Sequence, residues 1–523
     1  MHPATALESS PHCRPSPDGR FIVTLRASGI IVRSTETLQV TNAVTLSFGS
    51  GSPFASSAAG TSSTNVPTLL WAPSSTKFLV STADQLDVFS ALRGSEFHAT
   101  ARNYSSISGK PSFLQFGARD TEILIWSASG LKLVVLDVCS SGVVEISSPK
   151  FHQATSASRG VSLRPGTGHL ALLARSGGKD VVSLHRPADR QVYKSWCPET
   201  LDAQGLEWTP DGRWLLLWES AAQGHRLLLY TADGQHFRTI TASNLLKGPD
   251  ADLELGIKTC QLSPNAELCA IGDYSRDVAI LHTQSWRAQL RLPHPATITP
   301  KDTLQVWQEQ IGAEPLQGRV THTFLRATQI LSPPGSATEG QPGAESKSGC
   351  SMAAFDSSST LLATRLDDSP CTLWIWDVIA AELRAVLIFH TTVAFQWHTS
   401  SRELLLITSQ DPAQQAVSFI WDPLSNGPTP LVPEVYLPEG RAAGKSQVAW
   451  INRETELPVL FVSDAQHYLL LSPSSASQDG NPWKQAAVSH DNSEFQYNSP
   501  TSNHYAMDDE DEIMDDTFSF RNV

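Results

Sequence analysis

The sequence predicts an all-β protein, a β-propeller of eight or nine four-stranded blades. Three observations support this prediction: a strand-turn-strand module recurs, its copies are spaced like propeller blades, and they cover most of the 523 residues. The clearest copy lies at residues 205–239. A small antiparallel sheet of this kind cannot bury both faces alone, so it must stack against copies of itself or another layer.

The module at 205–239 consists of short strands separated by tight turns. At Pro210-Asp211-Gly212 the proline presets φ and the glycine supplies the left-handed conformation that such a turn needs. Residues 214–218 form an apolar run that is too short for an independent helix and is typical of a buried strand. Trp208, Asp211 and Gly212 are therefore interpreted as structural residues of one blade.

Nine copies of the module are found when segments of the chain are aligned on the apolar residue that lies three places before the middle of the first turn. They start at Pro15, Trp71, Phe116, Leu163, Trp208, Leu262, Phe355, Trp397 and Trp450. From the second copy to the fifth the starts lie 45, 47 and 45 residues apart, which matches roughly 40 to 45 residues per propeller blade. The first and last copies are the weakest.

A single large ring of eight or nine blades is the preferred arrangement, because typical propellers have about 4 to 8 blades and nine units do not divide comfortably into two rings. Two small rings split near residues 300–349, or a seven-bladed ring with a partial second one, are alternatives. The sixth and seventh copies start 93 residues apart, so a hidden blade could lie between them. Residues 303–307 and 319–330 are expected to be outer strands there.

Polar segments divide the chain into three parts. Residues 1–14 form an N-terminal segment, residues 15–470 form the propeller region, and residues 472–523 form an acidic tail whose composition predicts disorder. Within the propeller region, residues 47–65 and 332–349 are expected to be flexible insertions, since they are rich in Ser, Gly and Pro.

Charge and composition argue against several functional classes. The formal net charge is -14, and acidic residues at 508–516 contribute half of it, so no basic face for nucleic acid is visible. No apolar run is long enough to span a membrane, and the N-terminus lacks a signal-peptide pattern, which favours a cytosolic or nuclear location. The seven cysteines are scattered and suggest neither disulfides nor zinc.

No motif for catalysis or cofactor binding is recognisable. Gly177-Gly178-Lys179 lacks the spacing of a phosphate-binding loop, and no nucleophile elbow occurs. The strand histidines lie at unrelated blade positions, so no metal cluster is indicated. The sequence therefore predicts no enzyme activity, no cofactor, no metal and no small-molecule substrate.

Two units carry a Trp-Asp pair at the end of a strand, namely Trp376-Asp377 and Trp421-Asp422. These pairs resemble the namesake dipeptide of WD-repeat propellers, and each aspartate is expected to tie the following turn to backbone amides. The Gly-His half of that signature is absent at the expected place in every unit. The Asp-His-Ser/Thr hydrogen-bond network of strong repeats is therefore expected to be missing in most blades.

A closer resemblance lies in the segment 277–300, which ends the sixth unit. It carries Val278, Ile280, Leu281, Trp286, His294, Pro295, Ala296 and Ile298. Together with LLATR at 361–365 and AFQW at 394–397, this order is similar to the family of WD-repeat-containing protein eight. The resemblance covers about residues 15–470.

This resemblance implies a non-enzymatic protein scaffold of the cytoplasm and cytoskeleton, at the centrosome or spindle pole body. The implied partners are a coiled-coil spindle-pole anchoring protein, a minus-end-directed kinesin in fungi, and γ-tubulin components, which together anchor microtubule minus ends. Alternatives are a ubiquitin-ligase substrate receptor, a membrane-coat adaptor, and a propeller hydrolase with polar or metal-binding residues in its channel.

Two stretches are candidates for partner contact. Trp286, His294 and Pro295 lie where the chain leaves the sixth unit, although a rigid turn is the alternative interpretation. The acidic tail combines charges with apolar residues, as a short linear motif does, although a solvated tail is the alternative. The tail candidates are Asp508, Asp509, Glu510, Asp511, Glu512, Phe518 and Phe520.

Overall fold

The computed structural model describes most of the chain. The described residues are 1–26, 29–45, 68–82, 85–242, 255–313, 320–335, 348–400, 403–410, 417–438, 446–452 and 457–473. The expected insertion at 47–65, most of that at 332–349, and all the tail residues named above lie outside them. Within the described part, no helix is long and apolar enough to cross a membrane.

The described residues form nine sheets, and the first four blades follow one another from the N-terminus. Two short strands come first, β1 (His2–Pro3) and β2 (Leu7–Glu8). Blade one comprises β3 (Cys13–Pro15), β4 (Phe21–Arg26), β5 (Gly29–Ser34) and β6 (Val40–Thr45). Blade two comprises β7 (Thr68–Trp71), β8 (Lys77–Ser81), β9 (Gln85–Ser90) and β10 (His98–Arg102). Blade three comprises β11 (Pro111–Phe116), β12 (Glu122–Ser127), β13 (Lys132–Asp137) and β14 (Gly142–Ser147). Blade four comprises β15 (Val161–Leu163), β16 (Leu170–Ser176), β17 (Lys179–His185) and β18 (Val192–Trp196).

Blades five to nine complete the set. Blade five comprises β19 (Ala203–Trp208), β20 (Trp214–Glu219), β21 (Arg226–Thr231) and β22 (His236–Thr241). Blade six comprises β23 (Ile257–Leu262), β24 (Leu268–Asp273), β25 (Asp277–His282) and β26 (Arg287–Pro293). An inserted hairpin, β27 (Gln305–Ala313) and β28 (Val320–Arg326), precedes blade seven, which comprises β29 (Cys350–Phe355), β30 (Leu361–Leu366), β31 (Thr372–Asp377) and β32 (Glu382–Ile388). Blade eight comprises β33 (Val393–Trp397), β34 (Leu405–Ser409), β35 (Ser418–Trp421) and β36 (Thr429–Leu431). Blade nine begins with β37 (Gln447–Ile451), β38 (Val459–Ser463) and β39 (His467–Ser472).

In the part of the chain that the structure describes, α1 (Tyr104–Ser108) follows blade two. Short 3₁₀-helices lie in other connections, at Ala157–Gly160, Ala221–Gln223 and Pro433–Val435.

A separate apolar cluster fills each junction between neighbouring blades. Trp374 and Trp376 of blade seven pack with Ile280 of blade six, and corresponding clusters lie at every other junction. The ninth cluster joins Phe461 of blade nine to Ile22 of blade one. The blades therefore form one closed nine-bladed ring. This confirms the preferred prediction of a single large ring, and the two-ring and seven-bladed alternatives are wrong.

The first strand of each blade lies at the inner edge of the ring. Neighbouring first strands contact each other, as β15 and β19 do, or β23 and β29. Three tryptophans that start repeat copies also join them: Trp71, Trp397 and Trp450 donate indole hydrogen bonds to backbone carbonyls of the preceding blade at 3.1, 2.9 and 3.2 Å. The first strands consequently line a central channel.

The N-terminus closes the ring by supplying the outer strands of blade nine. His2 pairs with Ser472 and Leu7 pairs with Tyr468, both in antiparallel register with β39. The assignment of residues 1–14 as a separate segment is thus wrong, because these residues belong to blades nine and one. Strands of two residues are held by backbone hydrogen bonds and leave no alternating pattern in the sequence.

In the long interval between the sixth and seventh copies, the described residues form a hairpin and no extra blade. β27 pairs in parallel with β32, Gln305 opposite Ala385, and β28 pairs with β27, so blade seven has six strands. This confirms both expected outer strands. The hairpin packs Phe324 against Phe389 and Phe419 at ring-centroid distances of 5.6 and 5.4 Å, and so it also covers the junction with blade eight.

Candidate functional site

The two Trp-Asp pairs of the sequence are structural. Trp376 and Trp421 are buried at the blade junctions. Asp377 Oδ1 accepts hydrogen bonds from the amides of Ile379 and Ala380 at 3.1 and 2.8 Å. Asp422 Oδ1 accepts one from the amide of the residue two places on, at 2.7 Å. Each aspartate therefore fixes the turn that follows its strand, as expected.

The turn of the fifth unit docks onto blade four. Asp211 Oδ1 accepts a hydrogen bond from Thr209 Oγ1 at 2.6 Å, and Gly212 adopts a φ of +67°. Arg164 Nε donates to the Gly212 carbonyl at 2.8 Å, and its guanidinium lies 5.5 Å from the ring centroid of buried Trp208. Trp208 and Gly212 thus contact blade four, while Asp211 holds the turn of its own blade.

His294 joins blade six to blade seven through a buried hydrogen-bond chain. Its Nδ1 donates to the carbonyl of Arg276 at 2.7 Å, which leaves Nε2 to accept from Thr364 Oγ1, also at 2.7 Å. Thr364 Oγ1 in turn accepts from Trp376 Nε1 at 3.2 Å. Burial lowers the pKa of His294 to about 4, so the ring is neutral at pH 7.

This chain bears on two predictions. The Gly-His dipeptide is absent at the expected place, but for blade seven His294 supplies the imidazole of the network, although residues 295–349 separate it from the first strand of that blade. The hypothesis that Trp286 and His294 contact a partner is wrong. Trp286 is fully buried and His294 is 3% exposed, so neither presents a side chain to the surface. Pro295, beside them, is half-buried.

The face at which the first strands begin, called here the mouth face, carries ion pairs that link blades. Lys258 pairs with Asp367 at 2.5 Å between blades six and seven, and Arg276 pairs with Asp368 across the same junction. Between blades five and six, His225 Nε2 lies 3.3 Å from a carboxylate oxygen of Asp273. On the opposite face, Glu122 and Arg190 form a buried bidentate pair, with both distances 2.6 Å.

A cavity of about 470 Å³ opens on the mouth face beside blades four to seven. It is called here the channel-mouth pocket. Its floor is formed by the beginnings of β19, β23 and β29, and its rim by the connections around them. The lining residues that matter for its chemistry are Arg159, Gln204, Trp218, Lys258, Tyr274 and Ser351.

Inner-strand residues beside this pocket hold titratable groups in an apolar setting. Burial alone raises the pKa of Glu207 to about 7. Cys260 lines the pocket, its sulfur lies 3.6 Å from that of Cys269, and the neighbouring thiol and burial raise its pKa. The raised pKa keeps the Cys260 thiol protonated and therefore weakly nucleophilic.

The described residues contain no group of three or more His, Cys, Asp or Glu side chains placed to hold a metal ion. Sequence patterns did not single out Arg159 or Lys258. Arg159 lies in the short helix before blade four and Lys258 in the first strand of blade six, so only ring closure brings them to one pocket.

Comparisons with known proteins find similarity to WD-repeat proteins. The chain is 29% identical over 310 residues to the WD repeat-containing protein WRAP73 of Mus musculus, covering 56% of this chain and 63% of that protein. It is 23% identical over 433 residues to an uncharacterized WD repeat-containing protein of Schizosaccharomyces pombe, covering 78% and 79% respectively. The alignment thus spans less than two thirds of the mouse relative.

Similarity to solved structures is confined to overall shape. The chain resembles the structure of the Dos1 propeller with a TM-score of 0.42 and 12% identity, over 77% of this chain and 90% of that one. It resembles a eukaryotic initiation factor with a TM-score of 0.47 and 11% identity, over 82% and 87%. No protein-family model matches the chain.

Proposed function

We propose that this chain, a β-propeller similar to WD-repeat proteins, is a protein scaffold that acts, without enzymatic activity, at the centrosome or spindle pole body. There it anchors microtubule minus ends together with a coiled-coil anchoring protein and, in fungi, a minus-end-directed kinesin. γ-Tubulin components are further proposed partners. The proposed location is the cytoplasm and its cytoskeleton.

The observation that carries this proposal is the resemblance of blades six to eight to the family of WD-repeat-containing protein eight. It rests on residues 277–300, 361–365 and 394–397. These segments include Thr364, His294 and Trp397, which the ring uses to join consecutive blades. The resemblance therefore concerns the way in which particular blades are assembled, which is more specific than a recurring Trp-Asp pair.

The architecture suits a scaffold. Nine packed junctions make the ring rigid, while its connections emerge on two faces, so that several partners can be held at once. The inserted hairpin β27–β28 enlarges the outer edge of blade seven and presents exposed Leu325 and Val320. Exposed apolar side chains on a rigid edge are a common feature of protein-binding surfaces.

Affinity purification of the tagged chain from dividing cells, read by mass spectrometry, tests the proposal, together with localisation of the same tag in mitosis. We expect a coiled-coil pole protein, a minus-end-directed kinesin and γ-tubulin components, with signal at the poles. A Trp376→Ala variant that disrupts blade seven serves as the matched control and should lose both these partners and the signal at the poles. Recovery of cullin subunits or coat proteins, with diffuse or vesicular signal, would contradict the proposal.

A further inference from the structure

We infer that the channel-mouth pocket binds a short acidic peptide segment of a protein partner. This inference rests on the proposed scaffold function, because it assumes a protein ligand, and it assigns that function a binding site. The observations that carry it are the shape of the pocket, the unpaired Arg159 and the paired Lys258 that line it, and the lack of carboxylates among its described lining residues.

The volume of about 470 Å³ fits a few amino-acid residues. Ligand pockets commonly measure about 300 to 1,000 Å³ and combine apolar walls with a few convergent polar groups. Here Trp218 and Tyr274 supply the aromatic walls. Gln204 and Ser351 add polar side chains, which Asp202 and Arg365 hold in place through hydrogen bonds. An extended peptide offers both a backbone for these polar groups and side chains for the walls.

Arg159 is the side chain best placed to recognise a carboxylate. It is exposed on the rim, and its guanidinium makes no hydrogen bond or ion pair with any residue that the structure describes. A guanidinium presents two parallel N–H donors that match both oxygens of a carboxylate. An unpaired guanidinium at the pocket rim therefore favours the acidic side chains of Asp or Glu.

Lys258 forms a second, less exposed positive centre. Its Nζ donates to the carbonyl of Ser348 and to Asp367, both at 2.5 Å, and lies 4.9 Å from the ring centroid of Tyr274. These contacts hold the ammonium group in place and partly neutralise it. Lys258 therefore fixes the position of the aromatic wall and adds local positive potential, while Arg159 makes the direct pairing.

The positive pocket contrasts with the rest of the molecule. The chain carries a formal net charge of -14, so its overall field repels an acidic peptide. Among the lining residues that the structure describes, Arg159 and Lys258 are the cations and none is Asp or Glu, while Asp367 pairs with Lys258 from outside the lining. Binding of an acidic peptide must consequently arise from a local cationic site, which makes the interaction simple to assign by substitution.

Fluorescence anisotropy with the full chain and a fluorescein-labelled hexaglutamate peptide tests the inference. We expect saturable binding that weakens about tenfold in Arg159→Ala, because a charge-assisted hydrogen bond is lost. The matched control is Arg186→Ala, which removes an exposed arginine of the same blade at the opposite face, where it pairs with Asp189. It should change the Kd less than about twofold.

Equal Kd values for Arg159→Ala and Arg186→Ala, or no binding of the peptide, would overturn the inference. A hexathymidylate that binds more tightly than the peptide and depends on Arg159 would also overturn it, because the pocket would then recognise phosphate. Recovery of pole proteins from dividing cells does not use these probes. The peptide assay can therefore fail while the proposed scaffold function holds, and the peptide can bind while no pole protein is recovered.

Discussion

His294 Nε2 lies 2.7 Å from Thr364 Oγ1, although 70 positions separate the two residues in the sequence. The pair is buried at the junction of blades six and seven, where the histidine also contacts the Trp374 and Trp376 rings at centroid distances of 5.2 Å. It joins the last strand before the inserted hairpin to the blade that follows it. The ring therefore continues across an insertion that the sequence alone presents as a gap.

Replacing His294 by alanine should destabilise the protein by about 2–4 kcal/mol. The substitution opens a cavity and leaves the Thr364 hydroxyl without its imidazole acceptor inside the junction. Urea unfolding followed by tryptophan fluorescence should show a clearly lower midpoint. His236→Ala, at an exposed outer-strand position, is the matched control. If both variants unfold at the same urea concentration, the hydrogen-bond chain contributes nothing measurable.

The same histidine should make stability depend on pH. Its pKa is about 4 in the folded state and 6.5 in the reference state, so the unfolded chain takes up the proton first as the pH falls. The stabilisation is complete above pH 6.5 and is lost between pH 6.5 and 4, by up to about 3 kcal/mol. Urea midpoints at pH 7 and pH 5 measure it. A His294→Gln variant should lose most of the difference, and an unchanged pH dependence would count against a buried neutral ring.

The blades could be predicted from sequence because each one is a local unit. Turn residues such as Asp211 and Gly212 act within a few positions, and the size of a four-stranded sheet fixes the repeat length. The nine starting positions, from Pro15 to Trp450, each fall within or beside the first strand of a blade in the structure.

The features that the sequence did not reveal depend on distant pairing. β1 has two residues and is recognisable only through its contact with β39, at the other end of the described chain. β27 pairs with β32 in parallel across an intervening blade sequence. Arg159 and Lys258 meet because the blades close into a ring. None of these relationships leaves a period or a motif in the sequence.

Glu207→Gln should stabilise the protein at alkaline pH. Burial raises the pKa of this carboxyl from 4.5 to about 7, so the folded state retains a proton that the unfolded chain releases between these values. Stability consequently falls as the pH rises from 4.5 to 7, and at pH 8 the ionised group costs on the order of 3 kcal/mol. Glutamine removes this cost.

The urea midpoint of Glu207→Gln should therefore exceed that of the parent at pH 8 and equal it at pH 4.5. Glu36→Gln, at an exposed position of blade one, should match the parent at both values. An equal midpoint for Glu207→Gln and the parent at pH 8 would mean that the carboxylate is hydrated in the channel.

Removing residues 1–8 should weaken the closure of the ring. The deletion strips β1 and β2 from β39 and breaks backbone hydrogen bonds such as that from the Ala4 amide to the Leu470 carbonyl, 2.8 Å long. Several such bonds at about 0.5–1.5 kcal/mol each should lower the melting temperature by about 3–6 °C. β39 also becomes an exposed edge strand, which promotes association through edge pairing. Differential scanning fluorimetry and size-exclusion chromatography measure the two effects.

Truncation of residues 508–523 is the control and should change neither, since those residues have a composition that does not support a core. A monomeric deletion variant with the parent's melting temperature would show that the N-terminal strands do not hold the ring closed.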